Sequence, residues 1–329
     1  MSDPLMQKFC CNPNSSSIST LIHFNSGLYN IICLVSSLAG ISGAVYQMLP
    51  RHETWLSLQW FSLTSLRGRQ IIIWLALGDL FASLGVFLRC SSKLIDYFAY
   101  GETGNGDSEN ADYNIVYCTI LVMWTQYFYA VTWCWTLCYA ADTWLAVQKR
   151  AGYPWLYQCV AWLLPAVLQV SIYLSTGGGC EREETSQLTN YSLVAVVMVS
   201  SPILFCLAVR HLHVLAMSCL GQLTNKERSV IRSVRLRFGL IVLAFYVCWL
   251  PNLLHGLLLA MWPRSPACFQ ITLWYLMAVL NPLQALFNSA VYRRPNLKLV
   301  TPFKNSRSEM SETTPLVQAN INLSDHLLS

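Results

Sequence analysis

The chain is predicted to be an all-α membrane protein, a bundle of seven transmembrane helices with its N-terminus outside or lumenal and its C-terminus cytoplasmic. Three observations predict this. Apolar residues make up 54% of the 329 and charged residues only 11%, against roughly 25% charged in an ordinary soluble domain. The apolar residues gather into blocks close to the ~20 residues that cross a bilayer core of about 30 Å. The cationic residues fall mainly into alternate segments between those blocks.

The blocks run 27–50, 70–90, 116–140, 155–175, 191–209, 236–261 and 269–292. They are far longer than the ~10-residue alternating strands of a membrane barrel, so helices are the way to satisfy their backbones in lipid. Residues 1–26 form an outer N-terminal segment. No basic stretch, short apolar run and cleavage site occur there, so the first helix is expected to serve as the insertion signal. The membrane domain spans 27–292, and 293–329 is a polar, Ser-rich cytoplasmic tail expected to be disordered. With the N-terminus outside, sixteen Lys and Arg lie on the inner side and five on the outer, while nine of the sixteen acids lie outside. Cytoplasmic loops retain Lys and Arg, which fixes the direction. The net charge of +5 carries no nucleic-acid motif around it, and no nucleic-acid partner is expected.

The loops follow from composition. Lys93 to Asn114, with GETGNGDSENAD inside it, is too polar to build a core and is expected to be mobile. The segment from Arg210 to Arg237 carries QLTNKERSVIRSVRLRF, a basic helical extension of span six that suits anionic lipid or an effector equally. Cys118, at the outer start of span three, and Cys180, in the second outer loop, are expected to form a disulfide in an oxidising compartment, two unpaired thiols being the alternative. The sequons at Asn14 and Asn190 fall outside and are the expected glycosylation sites, the alternative for Asn190 being a position too close to the membrane to be reached. Cys33, Cys134, Cys138 and Cys248 suit small apolar packing.

Within the spans, Asp79 is the one acid deep in a helix. An intramembrane carboxylate is a functional candidate by default, and an interior network is the favoured role over direct ligand contact. Span six holds Cys248, Trp249, Leu250 and Pro251, a proline that removes a backbone hydrogen bond beside a bulky aromatic. A hinge and a purely structural kink both fit. Span seven runs NPLQALFNSAVY from Asn281 to Tyr292. It combines Pro282 with the amides of Asn281 and Asn288, which should face the bundle interior because unpaired amides in lipid are costly. Asp142, at the inner end of span three, stands where a charge can latch helix ends together, or is an exposed loop acid. Toward the outer half, Trp124, Gln126, Tyr127, Asn252, His255, Trp274 and Tyr275 offer aromatic walls with a few polar groups, as small-molecule sites have. Interfacial packing is the alternative for each.

Taken together, FCC from Phe9, CYAAD from Cys138, KRAG from Lys149, CER from Cys180, PILF from Pro202, NKER from Asn225, CWL from Cys248 and LNP from Leu280 resemble the ocular albinism type 1 family. These are pigment-cell G-protein-coupled receptors of intracellular organelles. More distantly, the helix pattern is similar to cyclic AMP receptor-like proteins. The resemblance implies a receptor of melanosomes and late endosomes or lysosomes, and possible exposure at the plasma membrane. It implies a small aromatic amine or amino-acid ligand, L-DOPA with tyrosine and dopamine as relatives. It further implies heterotrimeric G proteins and arrestin as partners and a role in melanosome biogenesis. No cofactor, metal or catalytic residue is implied. Two departures stand out. Asp142, Thr143 and Trp144 replace the Asp-Arg-Tyr of rhodopsin-like receptors, and Ala285 stands where those receptors carry tyrosine after Pro282. The tail lacks the family's Trp-Glu sorting signal; Glu312, Leu316 and Val317 in ETTPLV are a possible substitute, an ordinary tail being the alternative.

A transporter or channel is the competing class. It is disfavoured because no inverted repeat is visible and, apart from Arg237 at the inner edge of span six, only Asp79 and Arg89 are charged within the spans.

Overall fold

The computed structural model describes residues 26–49, 59–100, 108–148, 150–175, 180–218, 225–261 and 266–293. The chain separates into two units, Met1–Pro295 and Asn296–Ser329; the described residues all belong to the first. They form seven helices: α1 (Ser26–Met48), α2 (Gln59–Tyr100), α3 (Ser108–Val147), α4 (Pro154–Ser175), α5 (Cys180–Ser218), α6 (Asn225–Met261) and α7 (Ala267–Arg293). α4 contains a π-helical stretch at Cys159–Leu163.

Five of these helices are long and apolar enough to cross a membrane, over 27–48 of α1, 67–95 of α2, 154–174 of α4, 188–214 of α5 and 235–258 of α6. α3 and α7 are not, and the reason is positional. Each helix packs on its sequence neighbours and α7 closes back on α1, while α3 also touches α5 and α6. A helix walled in by others can carry Thr125, Gln126, Thr132 and Thr136, as α3 does, or Asn281, Gln284 and Asn288, as α7 does, all of them buried. Beside a buried apolar core, apolar side chains also cover the outside: Val35 of α1, Val167 and Leu174 of α4, Val199 of α5 and Leu243 of α6 are all exposed. That inside-out distribution, polar within and apolar without, is what a lipid surround rewards.

Close approach between helices is bought with glycine. A Cβ on Gly40 would run into the Pro282 carbonyl oxygen, and one on Gly43 would sit 2.5 Å from the Leu286 Cα. α1 therefore lies directly on the α7 backbone. Ser36 adds a hydrogen bond from its hydroxyl to the Ala278 carbonyl at 2.7 Å. Small residues are the general device for such contacts in lipid, where burial of apolar surface supplies little drive.

Several expectations shift. α2, α3, α5 and α6 all run beyond the blocks read from hydropathy, because a helix keeps its hydrogen bonds after the apolar stretch ends. The loop expected from Lys93 to Asn114 is largely helix: α2 continues to Tyr100 and α3 begins at Ser108. The basic segment before span six is helical from Asn225, as its reading as an extension of that span expected. Cys180 opens α5 instead of lying in a loop.

Candidate functional site

The polar residues of α6 and α7 meet in a ladder. His255, Asn252 and Trp249 are spaced by three on α6 and so share one face. At the predicted outer end the Trp274 indole N–H donates to His255 Nε2 at 3.1 Å. An indole nitrogen can only donate, so Nε2 is an acceptor and the neutral imidazole carries its hydrogen on Nδ1. That nitrogen lies 3.1 Å from the Tyr191 hydroxyl, and His255 is 1% exposed. One imidazole thereby joins α5, α6 and α7. Gly256 lets Tyr191 approach, since a Cβ there would sit 2.8 Å from its ring.

The next rungs follow inward. Asn252 and Asn281 pair amide to amide, at 2.7 and 3.4 Å. The Trp249 indole donates to the Gln284 side-chain oxygen, and its ring packs edge-on against Tyr129 and Trp133 of α3. Asn288 donates to Asp79 Oδ2 at 3.1 Å, carrying the ladder across to α2. From Trp274 to Asn288 the α7 rungs cover about 21 Å at 1.5 Å per residue. Pro251 and Pro282 are both buried inside their helices beside this face; each removes one backbone hydrogen bond where the ladder's side chains bridge.

The seven residues expected to line an outer pocket are thus divided. Asn252, His255 and Trp274 come together. Tyr127 turns to α4, donating its hydroxyl hydrogen to the Trp162 carbonyl at 3.2 Å, Tyr275 packs edge-on with Tyr29 of α1, and Gln126 is buried in α3. Trp124 is 40% exposed, in line with Val116 and Ile120; its indole donates to the Phe81 carbonyl of α2 and its ring packs against Phe81 and Phe128. It faces away from the ladder. Tyr191 and Gln284 were missed, Tyr191 because it reads as a span boundary and Gln284 because it lies between two more conspicuous asparagines.

A second constellation lies at the predicted inner end. Asp142 is buried. Arg67 of α2 reaches its Oδ1 at 3.5 Å, an ion-pair contact without hydrogen-bond geometry. The Tyr157 hydroxyl of α4 donates to the same oxygen at 3.4 Å. Burial raises the Asp142 carboxyl above the ordinary carboxylate range, opposed by the Arg67 guanidinium and the Tyr157 hydroxyl. Gly152 lies against the carboxylate; a Cβ there would meet Asp142 Oδ1 and sit 3.0 Å from the Tyr157 oxygen.

Other expected sites stand as follows. Asn190 is corrected as a glycan acceptor: it is helical and 6% exposed, which leaves no room for a sugar. Asn14, Glu312, Leu316 and Val317 lie outside the described residues, as do the side chains of Cys118 and Cys180. Among the described residues no group of three or more His, Cys, Asp or Glu is placed to hold a metal ion.

A closed ring of helices with an outward apolar surface, and a polar ladder running through its middle, defines an integral membrane protein of the G-protein-coupled receptor type. The sequence comparisons make this specific. The family model of the ocular albinism type 1 protein matches residues 1–315, and the chain belongs to that family. It is 26% identical over 315 residues to human G-protein coupled receptor 143, covering 89% of this chain and 77% of the relative. Cyclic AMP receptor-like protein C of Dictyostelium discoideum is 20% identical over 235 residues, covering 69% of this chain and 63% of that protein.

Proposed function

We propose that the chain is a seven-span receptor, N-terminus lumenal or outside and C-terminus cytoplasmic, that binds a small aromatic amine or amino acid at the outer end of the ladder. L-DOPA is the first candidate, with tyrosine and dopamine as relatives, and heterotrimeric G proteins and arrestin are the effectors. The membranes are those of melanosomes and late endosomes or lysosomes, with melanosome biogenesis as the process served. The Cys118–Cys180 disulfide, a glycan at Asn14 and sorting through Glu312, Leu316 and Val317 belong to the same proposal.

The observation that carries it is the His255 junction. One buried imidazole bonds both α5 and α7 through side chains that an aromatic ligand with polar ends can replace. The same face of α6 continues through Asn252 and Trp249 to Asp79. A ligand transmits a signal only if it binds one arrangement of the helices better than another. Competing for the Tyr191 and Trp274 hydrogen bonds supplies that difference, because the displaced groups are buried and must be re-paired.

The test is effector recruitment on surface-trapped protein, with L-DOPA, tyrosine and dopamine applied separately and G-protein and arrestin arms read in parallel. A saturable response that His255→Leu removes supports the reading. No response to any of the three, with surface expression confirmed, rejects the ligand assignment. Epitopes placed before Phe9 and after Leu328 must report opposite sides of the membrane; both on one side rejects the topology.

A further inference from the structure

We propose that Asp142 is the hub of a resting-state latch whose cation comes from α2: Arg67 and Tyr157 clamp its carboxylate, fix the inner end of α3, and thereby hold α6 in the inactive position. The signalling part of this inference rests on the receptor reading above. The contact itself does not.

The geometry is specific. Three helices converge on one oxygen, Asp142 Oδ1, with the Arg67 guanidinium at 3.5 Å and the Tyr157 hydroxyl at 3.4 Å. Gly152, in the short connection between α3 and α4, lies against the same oxygen, so a side chain there would displace the carboxylate. Gly152 and Tyr157 are positioning residues. A buried carboxylate whose cation is removed is strongly disfavoured, which gives the contact two distinct arrangements, made and broken.

The link to α6 runs through α3. Tyr139 lies one helical turn before Asp142, and its ring packs edge-on against Phe238 of α6, which in turn packs edge-on against Phe205 of α5. Ala140, Val147, Ala208 and Val242 complete this apolar cluster around the buried Phe238. Charge thus ties α2, α3 and α4 together, while ring contacts hold α6 to α3. Sliding or turning α3 at Asp142 moves Tyr139 off Phe238 and frees α6. Thr143, which follows Asp142 where rhodopsin-like receptors carry arginine, takes no part: its hydroxyl bonds the Tyr139 carbonyl of its own helix at 2.8 Å.

The experiment compares ligand-free G-protein recruitment by the wild type, Asp142→Asn, Arg67→Gln, Tyr157→Phe and Gly152→Ala at matched surface levels. The charge-reversed pair Arg67→Asp with Asp142→Arg is measured alongside. Asp142→Asn and Arg67→Gln are each expected to raise basal recruitment about fivefold or more, the scale of a typical coupling between two states. The reversed pair is expected to return most of the way to the wild-type level. Should Asp142→Asn fail to reach the surface, Tyr157→Phe and Gly152→Ala carry the test, since both keep the carboxylate. Basal recruitment unchanged in the variants that reach the surface, or a reversed pair no quieter than the single substitutions, overturns the latch. A thermal-unfolding cycle on detergent-purified Arg67→Gln, Asp142→Asn and their double variant is expected to be non-additive; additive melting shifts overturn the contact itself. If the wild type recruits nothing under any stimulus while the cycle is non-additive, the receptor reading fails and the signalling role of the latch falls with it, leaving a structural clamp.

Discussion

The two ends of the bundle solve the same problem, holding helices together where apolar burial offers little, with different chemistry. At the predicted outer end and through the middle, neutral groups pair: imidazole with indole and phenol, amide with amide, indole with amide. At the predicted inner end a carboxylate, a guanidinium and a phenol meet. Neutral pairs in a membrane interior average roughly 0.6 kcal/mol and reach about 1.7, so a ligand of modest affinity can compete with them. Losing one partner of a fully buried charge pair costs about 3–5 kcal/mol; the Arg67 side chain is 22% exposed, which places the Asp142–Arg67 contact below that range but leaves its buried carboxylate costly to strand. A site meant to be opened by a small molecule is better built from the first, and a contact meant to stay closed until that signal arrives from the second.

Perturbations can break this contrast or sharpen it. The largest effect is expected at the α1–α7 contact on which the ladder's geometry depends. Gly43→Leu places a branched side chain where even a Cβ sits 2.5 Å from the Leu286 Cα. Since a backbone cannot yield as a side chain can, a loss at or above about 3 kcal/mol is expected, seen as a collapse in folded yield on fluorescence-detected chromatography. Near-normal yield contradicts the packing.

Next comes His255→Leu, which removes both bonds of the junction, the one that Trp274 donates and the one that the Tyr191 oxygen accepts from Nδ1–H. The expected result is loss of the ligand response or a rise of about tenfold or more in the half-maximal concentration, equivalent to about 1.4 kcal/mol. Basal recruitment should stay near wild type, unlike Asp142→Asn. A smaller effect is expected for the Asn252–Asn281 pair: a double-mutant cycle with alanine should give a coupling of about 0.5–1.5 kcal/mol in thermal stability. Zero coupling removes that rung. Trp124→Phe is expected to cost about 1 kcal/mol of stability and to leave ligand response unchanged, because it loses the hydrogen bond to the Phe81 carbonyl and trims the ring contacts with Phe81 and Phe128. A marked loss of response there moves the ligand site away from His255.

Much of this arrangement was legible before any coordinates. Asp79, Asn281 and Asn288 stood out because amides and a carboxylate in an apolar block must be enclosed, and all three are buried. Asn252, His255 and Trp274 were grouped as polar and aromatic residues of one outer region, and the structure brings them together. Helix rotation was not legible, and that is why Trp124 was grouped with residues it turns away from: an aromatic near a membrane boundary suits the interior and the lipid equally. The burial of Asn190 was only half legible, as a position near the membrane, since a sequon reports a local motif and not which side of a helix it occupies. Arg67 could not be assigned to Asp142 from sequence, because 75 positions separate them and a cation near a cytoplasmic boundary is explained by orientation alone. The contact exists because α2 and α3 pack along their lengths.

The central claim is that ligand sensing and resting-state restraint reside in separate contacts at opposite ends of one bundle. The measurement that bears on it most directly is an L-DOPA concentration series of G-protein recruitment on the His255→Leu, Asp142→Asn double variant beside both single variants, at matched surface expression. The account predicts a double variant with raised basal recruitment, like Asp142→Asn, and no further rise with ligand, like His255→Leu. A double variant whose basal recruitment falls back to the wild-type level would contradict it.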